Sequence, residues 1–422
     1  MKAQHVRISA KDWFISLATL MGAMLLVFSG ARAQAQTFTV LHAFGPNGGP
    51  YQPYNGLAMT PGGILYGTSL RGGSSGNGTA FELKRTGSGW LLNVLHNFQG
   101  GTDGAMPVAA VMIGPDGVLY GTTSQGGDPN CGTNGGCGTV YSLQPPAHAP
   151  LSALTPWTEK VLYAFQGGSD GRTPGYGAPA FDSNGAIYGT TEFGGDVQDC
   201  GSNGCGTVWE LSPTSSGGWT EQVRHRFNGS SSEGAVPVGG IVLLPGYDDI
   251  LGFTTVDYQV FFGLEPFTFE YYYIDQLSNT YGCDVNTTLL FDPNTFTFYG
   301  VAQGCGSAGE YGGGMVFSWF YGFTVLHDFG TTRGNYPAPE GPLIQDTAGN
   351  LYGVSFNGGA HQSGSVYKVS PARDYTELYS FTGGDDGSGP VGNLVMDAAG
   401  NLYGVTASGG PSLGGVVFEI TP

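Results

Sequence analysis

Acidic residues recur beside glycine in one type of turn, where a carboxylate can either cap the turn or bind a cation. The four acids are Asp103, Asp170, Glu233 and Asp386. A carboxylate in such a turn usually accepts hydrogen bonds from nearby backbone N–H groups. The functional alternative is a Ca²⁺ site, which requires about six or more converging oxygen ligands. We expect turn caps, and Ca²⁺ is the one cofactor that the sequence leaves open.

Histidines recur in the strand that precedes this turn. They are His42, His96, His225 and His327. A ring of imidazoles could hold a metal ion. Two further copies of the position carry Tyr163 and Tyr379, however, and a phenol does not substitute freely for a metal-binding imidazole. We therefore expect packed rings that form a hydrogen bond at their tips.

The cysteines are even in number and follow the first 35 residues, which favours disulfides in an exported chain. They are Cys131, Cys137, Cys200, Cys205, Cys283 and Cys305. The first two enclose GTNGG and the next two enclose GSNG, in matching loops of two repeats. This placement predicts two local disulfides and leaves the last two cysteines to connect loops of a further repeat. A zinc site is disfavoured because the spacing is not Cys-x-x-Cys and no histidine lies alongside.

The segment 256–277 replaces nearly all glycine with eight Phe or Tyr residues. A buried junction between strands is favoured, because aromatic stripes usually belong to a core. The alternative is an exposed platform for a glycan ring or a protein partner. Its candidate binding residues are Tyr258, Phe261, Phe262, Tyr271, Tyr272 and Tyr273. We expect activity to reside near this segment, around ILGFTTVDYQVFF.

One repeated sequence motif, GVLYGTTSQGG at 117–127, aligns the repeats in which all these residues lie. Similar copies lie at 63–73, 185–195, 349–359 and 400–410. Degenerate copies near 250 and 298 bring the number of units to seven. Each unit carries four short β-prone runs, in the order VLxxF, APAF, LYGTT and GTVxxL, separated by turn residues. Four strands repeated in seven units predict an all-β chain, a single seven-bladed β-propeller with four antiparallel strands per blade.

The predicted domains are a signal peptide at 1–35 and the propeller at 36–422. Its units span approximately 38–90, 91–158, 159–220, 221–268, 269–322, 323–374 and 375–422. In the first strand, alternation places Val40, His42 and Phe44 on one face, which we expect to be buried. The glycine of LYGTT is expected where a neighbouring aromatic ring or backbone approaches closely.

The combination of VLxxF, GGxDGxxP, DxxGNLYGTT, GG and GTVFxL resembles the GloVer tandem repeat of bacterial choice-of-anchor proteins. The resemblance covers nearly all of 38–422 and is weak only in the fourth and fifth units. It implies an exported, often surface-attached, propeller-like protein, and it brings no catalytic residue with it. The chain ends on GGVVFEITP without the sorting segment usual in the family, which favours a released protein.

The N-terminus has the pattern of a secretory signal peptide. A basic start is followed by a 16-residue, mostly apolar run from Trp13 to Phe28 and a small-x-small cleavage site. A retained N-terminal anchor is the alternative. Cleavage after residue 35 would leave 10 Lys and Arg against 31 Asp and Glu, a net charge of −21. This balance argues against nucleic acid and anionic membranes as partners, and we expect a secreted monomer.

Three classes of function fit these features. A secreted binding or scaffold module for a glycan or protein ligand is favoured. A polymer-active enzyme, a polysaccharide hydrolase or lyase, would need unrepeated polar residues at the propeller axis, for which Arg172, His225 and Glu340 are candidates. The third class is a structural component of the cell envelope. The sequence reveals no reaction, and a shared fold does not choose among these classes.

Overall fold

The chain folds as a propeller of seven antiparallel sheets, and the predicted fold class is confirmed. The computed structural model describes residues 36–46, 48–131, 135–146, 157–195, 200–255, 259–265, 268–277, 284–304, 312–330 and 337–421. Short runs rich in Val, Tyr, Phe and Thr form the strands, because such residues suit a pleated surface that is covered by a neighbouring sheet.

The first three blades follow the opening strand of the chain, and each runs from the innermost to the outermost strand. The opening strand is β1 (Thr37–Ala43). Blade 1 contains β2 (Pro50–Pro53), β3 (Ala58–Met59), β4 (Leu65–Gly72), β5 (Thr79–Thr86) and β6 (Gly89–Asn97). Blade 2 contains β7 (Met112–Ile113), β8 (Leu119–Thr123), β9 (Thr139–Gln144) and β10 (Thr158–Ala164). Blade 3 contains β11 (Arg172–Pro174), β12 (Ala180–Phe181), β13 (Ile187–Phe193), β14 (Thr207–Pro213) and β15 (Trp219–Arg226).

The remaining four blades repeat this order. Blade 4 contains β16 (Val242–Leu243), β17 (Ile250–Phe253), β18 (Gln259–Leu264) and β19 (Tyr271–Leu277). Blade 5 contains β20 (Leu290–Asp292), β21 (Thr297–Ala302), β22 (Met315–Trp319) and β23 (Phe323–Asp328). Blade 6 contains β24 (Pro339–Gln345), β25 (Leu351–Ser355), β26 (Ser365–Val369) and β27 (Tyr375–Ser380). Blade 7 contains β28 (Ser388–Met396), β29 (Leu402–Ser408) and β30 (Val416–Thr421).

Helices in the described residues are single 3-10 turns in the connections. They are Gly101–Asp103, Gly168–Asp170 and Gly201–Asn203. No helix in this part of the chain is long and apolar enough to cross a membrane.

Strand β1 closes the ring, because blade 7 has the strand order β1-β30-β29-β28. The outermost strand of the last blade therefore comes from the start of the chain. The repeat pattern alone does not determine which strand closes the ring. Each sequence unit begins with the outermost strand of the preceding blade, so units and blades are offset by one strand.

The core lies between adjacent blades. Tyr188 and Val208 of blade 3, for example, share one buried cluster with Ile250 and Phe262 of blade 4. Burying an apolar side chain of this size stabilises a fold by roughly 1.5–3 kcal/mol. Neighbouring blades therefore stabilise one another, and each depends on its neighbours for a covered face.

A glycine of each second strand faces an aromatic ring of the third strand. A Cβ atom placed on Gly189 would lie 2.3 Å from Trp209 Cζ2. The equivalent pairs are Gly67–Phe81, Gly121–Tyr141, Gly252–Phe262, Gly300–Phe317, Gly353–Tyr367 and Gly404–Phe418. The close approach expected at LYGTT is thus observed in all seven blades.

The outermost strands do not keep a single buried face, so the expectation for Val40 is wrong: its side chain is 36% exposed. Strands of this type contain a bulge, and in β6 the pairing passes from His96 to Val94 and skips Leu95. A bulge changes the face to which later residues point. Leu95 and Phe98 are consequently both fully buried although they are three positions apart.

Aromatic stacking joins the outermost strands of neighbouring blades. The stacked pairs, with the distances between ring centroids, are Tyr271–His225 (4.9 Å), Tyr375–His327 (4.2 Å) and Phe38–Tyr379 (4.0 Å). The recurrent histidines and tyrosines of the outer strands are therefore packed rings, as expected from the sequence.

Gly189→Ala is expected to lower the free energy of unfolding by about 2–3 kcal/mol, because the added methyl group overlaps a closely packed ring. Trp209 is 1% exposed and has no room to move aside. Urea denaturation measures the effect. Gly62→Ala is the matched control, since the nearest atom to its Cβ would be Thr60 Oγ1 at 3.7 Å. A Gly189→Ala variant as stable as this control would contradict the role given to the glycine.

Candidate functional site

The innermost strands and the turns beside them surround a central cavity of about 1070 Å³. All seven blades contribute to its lining. In six blades the contributing segment follows an inner-strand proline, which lies in the innermost strand or in the segment that leads to it. These prolines are Pro53, Pro107, Pro174, Pro237, Pro339 and Pro390.

The prolines position the cavity lining because each packs closely against the preceding blade. A Cβ atom on Gly206 of blade 3 would lie 2.5 Å from Pro237 Cδ of blade 4. Gly206 has φ +91°, a conformation that favours glycine. The glycine that opens the third strand thus allows the next blade's proline to approach, and the residues after that proline reach the axis.

The residues that follow the prolines differ from blade to blade. At the first position after the proline, or its equivalent Val285 in blade 5, the seven blades carry Tyr54, Val108, Gly175, Val238, Asn286, Glu340 and Val391. Residues that serve only to pack a repeat are expected to recur, as the LYG glycine does. The residues that line the axis therefore differ from blade to blade and do not follow the repeat.

Three carboxyl groups line the cavity, and burial raises the pKa of each. Burial raises the pKa of Glu340 to about 7. Burial also raises the pKa of Asp284 and that of Glu192, where the charge of Arg172 acts in the opposite direction. The described lining contains no Lys, Arg or His. The cavity is consequently an acidic and partly desolvated environment.

Two tyrosines lie close to these acids. The ring centroids of Tyr54 and Tyr176 are 5.9 Å apart, and the rings are inclined by 44°. Burial, followed by the charge of Glu192 and the proximity of Tyr54 and Glu340, raises the pKa of Tyr176 to about 12. Both phenols are therefore protonated at neutral pH and able to donate hydrogen bonds.

Asn55 fixes the relative positions of three blades at this point. Its side-chain amide donates a hydrogen bond to the carbonyl oxygen of Val108 at 2.6 Å and another to that of Tyr176. Asn393 links blade 7 to blade 1 in the same way, by donating to the Leu57 carbonyl oxygen at 2.9 Å. Side-chain bonds to backbone thus hold the tyrosine pair in place.

Thr287 is the polar group of the lining whose bonding is least satisfied. The residue is 4% exposed, and its Oγ1 atom has no hydrogen-bond partner among the described residues. Leaving a buried hydroxyl without a partner costs about 1–3 kcal/mol. A ligand that bonds to this hydroxyl would recover part of that free energy.

The structure places the three sequence candidates for an axial site differently. Glu340 lines the cavity, whereas Arg172 and His225 are not among its lining residues. Arg172 lies over the Phe193 ring at 5.1 Å and donates to Asn203 Oδ1 at 2.7 Å. The sequence argument missed the two tyrosines, Asn55, Glu192, Asp284 and Thr287. Comparing the seven copies just after the inner-strand proline would have found most of them.

Each acid predicted as a turn cap lies beside a recurrent ring, and three of them form a hydrogen bond with it. The hydrogen-bonded side-chain pairs are His96–Asp103 (3.1 Å), Tyr163–Asp170 (2.9 Å) and Tyr379–Asp386 (2.9 Å). Glu233 Oε2 lies 3.3 Å from His225 Nε2, and neither atom has a hydrogen-bond partner among the described residues. Backbone N–H groups also donate to three of these carboxylates, as in a cap. Each acid thus connects a turn to its own outer strand.

The four acids do not converge on one another in the described structure. The one group there with metal-compatible spacing is His96, Asp103 and Glu159, whose ligand atoms lie within 4.8 Å of one another. Asp103 is already bonded to the His96 ring and to the Gln99 N–H group. A Ca²⁺ site built from the four acids together finds no support in this geometry.

The aromatic segment is largely buried. Phe261 and Phe262 are fully buried in two core clusters and cannot form part of an exposed platform. Tyr271 and Tyr272 are partly buried, whereas Tyr273 is 48% exposed. Tyr258 lies outside the described residues. The segment around ILGFTTVDYQVFF contributes Thr255 to the cavity, so the expected location of activity is not where most unrepeated polar residues lie.

Two of the predicted disulfides are present. Cys131 is bonded to Cys137, and Cys200 is bonded to Cys205. Each covers a glycine of the turn that precedes the next blade: a Cβ on Gly167 would lie 2.7 Å from Cys131 Sγ. Cys283 and Cys305 lie outside the described residues.

The peripheral acid pairs predict a pH dependence of stability. Burial and the neighbouring Asp103 raise the pKa of Glu159 to about 7, and burial and Asp170 raise that of Glu221 to about 7. Both values exceed the ordinary value of 4.5, so the folded state binds these protons more tightly than the unfolded state. Their contribution to stability is complete below about pH 4.5 and is lost as the pH rises through about 7.

The double variant Glu159→Gln/Glu221→Gln is therefore expected to lose less stability than the wild type between pH 5.5 and pH 8. We expect its Tm to exceed that of the wild type at pH 8 by a few degrees. Calorimetry at both pH values measures the difference. Glu270→Gln, at an exposed position, is the control. An unchanged pH slope in the double variant would show that these acids are ionised throughout.

Comparisons with known proteins agree with the fold. An oligogalacturonate lyase from Vibrio parahaemolyticus aligns with a TM-score of 0.56 and 10% identity over 93% of this chain and 94% of that one. A mutant puromycin hydrolase complexed with PGG aligns with a TM-score of 0.50 and 11% identity over 84% and 50%. A putative 6-phosphogluconolactonase from Bacteroides fragilis aligns with a TM-score of 0.50 and 14% identity over 81% of this chain and 87% of that one.

At these identities the similarity shows the propeller fold alone. No match was found among curated protein sequences. The model of the Gloeobacter/Verrucomicrobia repeat, in contrast, matches residues 26–258 and 252–422, which together span the whole propeller. The resemblance inferred from the repeated phrases is confirmed: the chain belongs to the Gloeobacter/Verrucomicrobia repeat family.

Proposed function

We propose that this protein is a secreted, extracellular binding module whose ligand site is the axial cavity. The observation that carries the proposal is the change from repeated to individual residues at the axis. Packing positions such as the LYG glycine recur in every blade, whereas the residues after the inner-strand prolines include Tyr54, Asn286 and Glu340 at equivalent positions. A rigid ring that presents different side chains to one cavity is suited to recognising an asymmetric ligand.

The size and lining of the cavity support a small organic ligand. About 1070 Å³ is slightly above the usual range for small-molecule sites, which is roughly 300–1,000 Å³. Polar groups of the lining are held in place by hydrogen bonds, as Asn55 shows by donating to the Tyr176 carbonyl oxygen. Export is supported by the signal-like N-terminus and the two disulfides, which form in oxidising compartments.

A polymer-active enzyme is the second candidate, favoured by one feature. Glu340 has a pKa of about 7, which suits a general acid, and Glu192 supplies a further carboxyl group to the same cavity. Paired carboxyl groups carry out glycoside hydrolysis in many enzymes. Release of reducing ends or unsaturated products from polysaccharides, abolished in Glu340→Gln, would establish this candidate in place of a binding module.

Binding is tested by thermal-shift screening of the protein against oligosaccharides, amino acids, amines and nucleotides. We expect at least one class to raise the Tm of the wild type and of Tyr273→Ala, which changes the exposed peripheral ring. The same class should leave the Tm of Tyr176→Ala unchanged. Loss of the shift in Tyr273→Ala with retention in Tyr176→Ala would move the site to the aromatic segment. No shift with any class would overturn the proposal.

A further inference from the structure

The charges of the axial cavity point to a positively charged ligand. Glu192, Asp284 and Glu340 line it, and the described lining contains no basic side chain. The side chain of Glu340 forms no hydrogen bond or ion pair with the described residues. The whole chain has a formal net charge of −18, so its overall field also attracts cations to the cavity.

The spacing of the acids disfavours a single metal ion. The three acids come from blades 3, 5 and 6. Their carboxyl oxygen atoms do not all lie within 4.8 Å of one another in the described structure. Ca²⁺ requires oxygen ligands at about 2.3–2.6 Å, and Mg²⁺ requires them closer still. One ion therefore cannot contact all three carboxyl groups, whereas a flexible molecule with separated positive charges can.

The aromatic and apolar lining suits an alkyl ammonium chain. The faces of Tyr54 and Tyr176 can attract an ammonium group, because an aromatic face carries partial negative charge. Glu340 and Glu192 both act on the pKa of Tyr176, which places this ring near two of the acids. Ala110, Val111 and Met112 supply apolar surface for methylene groups.

Thr287 provides an independent indication of a ligand. The residue lines the cavity and is 4% exposed, and its Oγ1 atom has no hydrogen-bond partner among the described residues. An ammonium group carries several N–H donors and no acceptor, so it can donate to this oxygen and to a carboxylate at the same time.

We propose that the axial cavity binds a linear polyamine, with its ammonium groups distributed over Glu192, Asp284 and Glu340 and one of them against the Tyr54–Tyr176 pair. This inference rests on the proposed function, and it specifies the class of ligand.

Isothermal titration calorimetry with spermidine, at 0.15 M salt, tests the inference. We expect one spermidine per chain in the wild type. Glu340→Gln should weaken binding about tenfold or more, because a charge-assisted hydrogen bond is lost. Thr287→Val should weaken it about fivefold. Glu270→Gln, at an exposed position away from the cavity lining, should bind as the wild type does. Unchanged Tm values would show that the variants fold.

Three further probes separate the outcomes. Triethylene glycol, a neutral chain, and CaCl₂ should not bind at the axis. Spermidine binding that is equal in Glu340→Gln and the wild type would indicate attraction to the general surface charge and overturn the inference. An oligosaccharide that binds in a Tyr176-dependent manner while spermidine does not would overturn the polyamine and leave the axial binding module intact. Failure of every ligand would overturn both.

Discussion

The contact between a glycine and an aromatic ring within each blade is the constraint on which the rest of this structure depends. Removing the Cβ atom lets the ring of the third strand lie across the second strand. The ring then fills space that two thin sheets would otherwise leave between them, and a close-packed core results. Because the same contact is repeated in all seven blades, the blades are nearly equivalent in the middle and differ at their two ends.

The outer and inner ends of the blades use different chemistry. At the outer end, some blade junctions are formed by stacked rings, such as Tyr375 on His327. In other junctions a carboxyl group lies beside a pair formed by a ring and an acid, as Glu159 lies beside His96 and Asp103. These groups pack against one another at the blade junctions and serve the fold, although Glu159 Oε1 has no hydrogen-bond partner among the described residues. At the inner end, Asn55 and Asn393 bond to backbone carbonyl groups, whereas Thr287 Oγ1 has no partner among the described residues. A buried polar group without a partner requires an explanation, and beside a cavity a bound ligand supplies one.

The sequence was sufficient to predict the structural features that recur in every blade, but not the features that occur once. Blade number, strand order, the LYG glycine and two disulfides follow from patterns that recur, because a recurring pattern reports a recurring local environment. Val40 was assigned to the wrong face because the assignment assumed unbroken alternation, which a bulge interrupts in the equivalent strand β6. Tyr54 and Tyr176 come together from different blades, and no local pattern in either segment predicts that contact.

Closure of the ring by β1 links the first described strand to the last. The outer edge of β30 pairs with β1, a segment that lies more than 370 positions earlier in the chain. Terminal residues of most domains tolerate truncation, because little depends on them. Here the loss of either terminal strand would uncover the same seam, so the two ends of the propeller should be among its most truncation-sensitive parts.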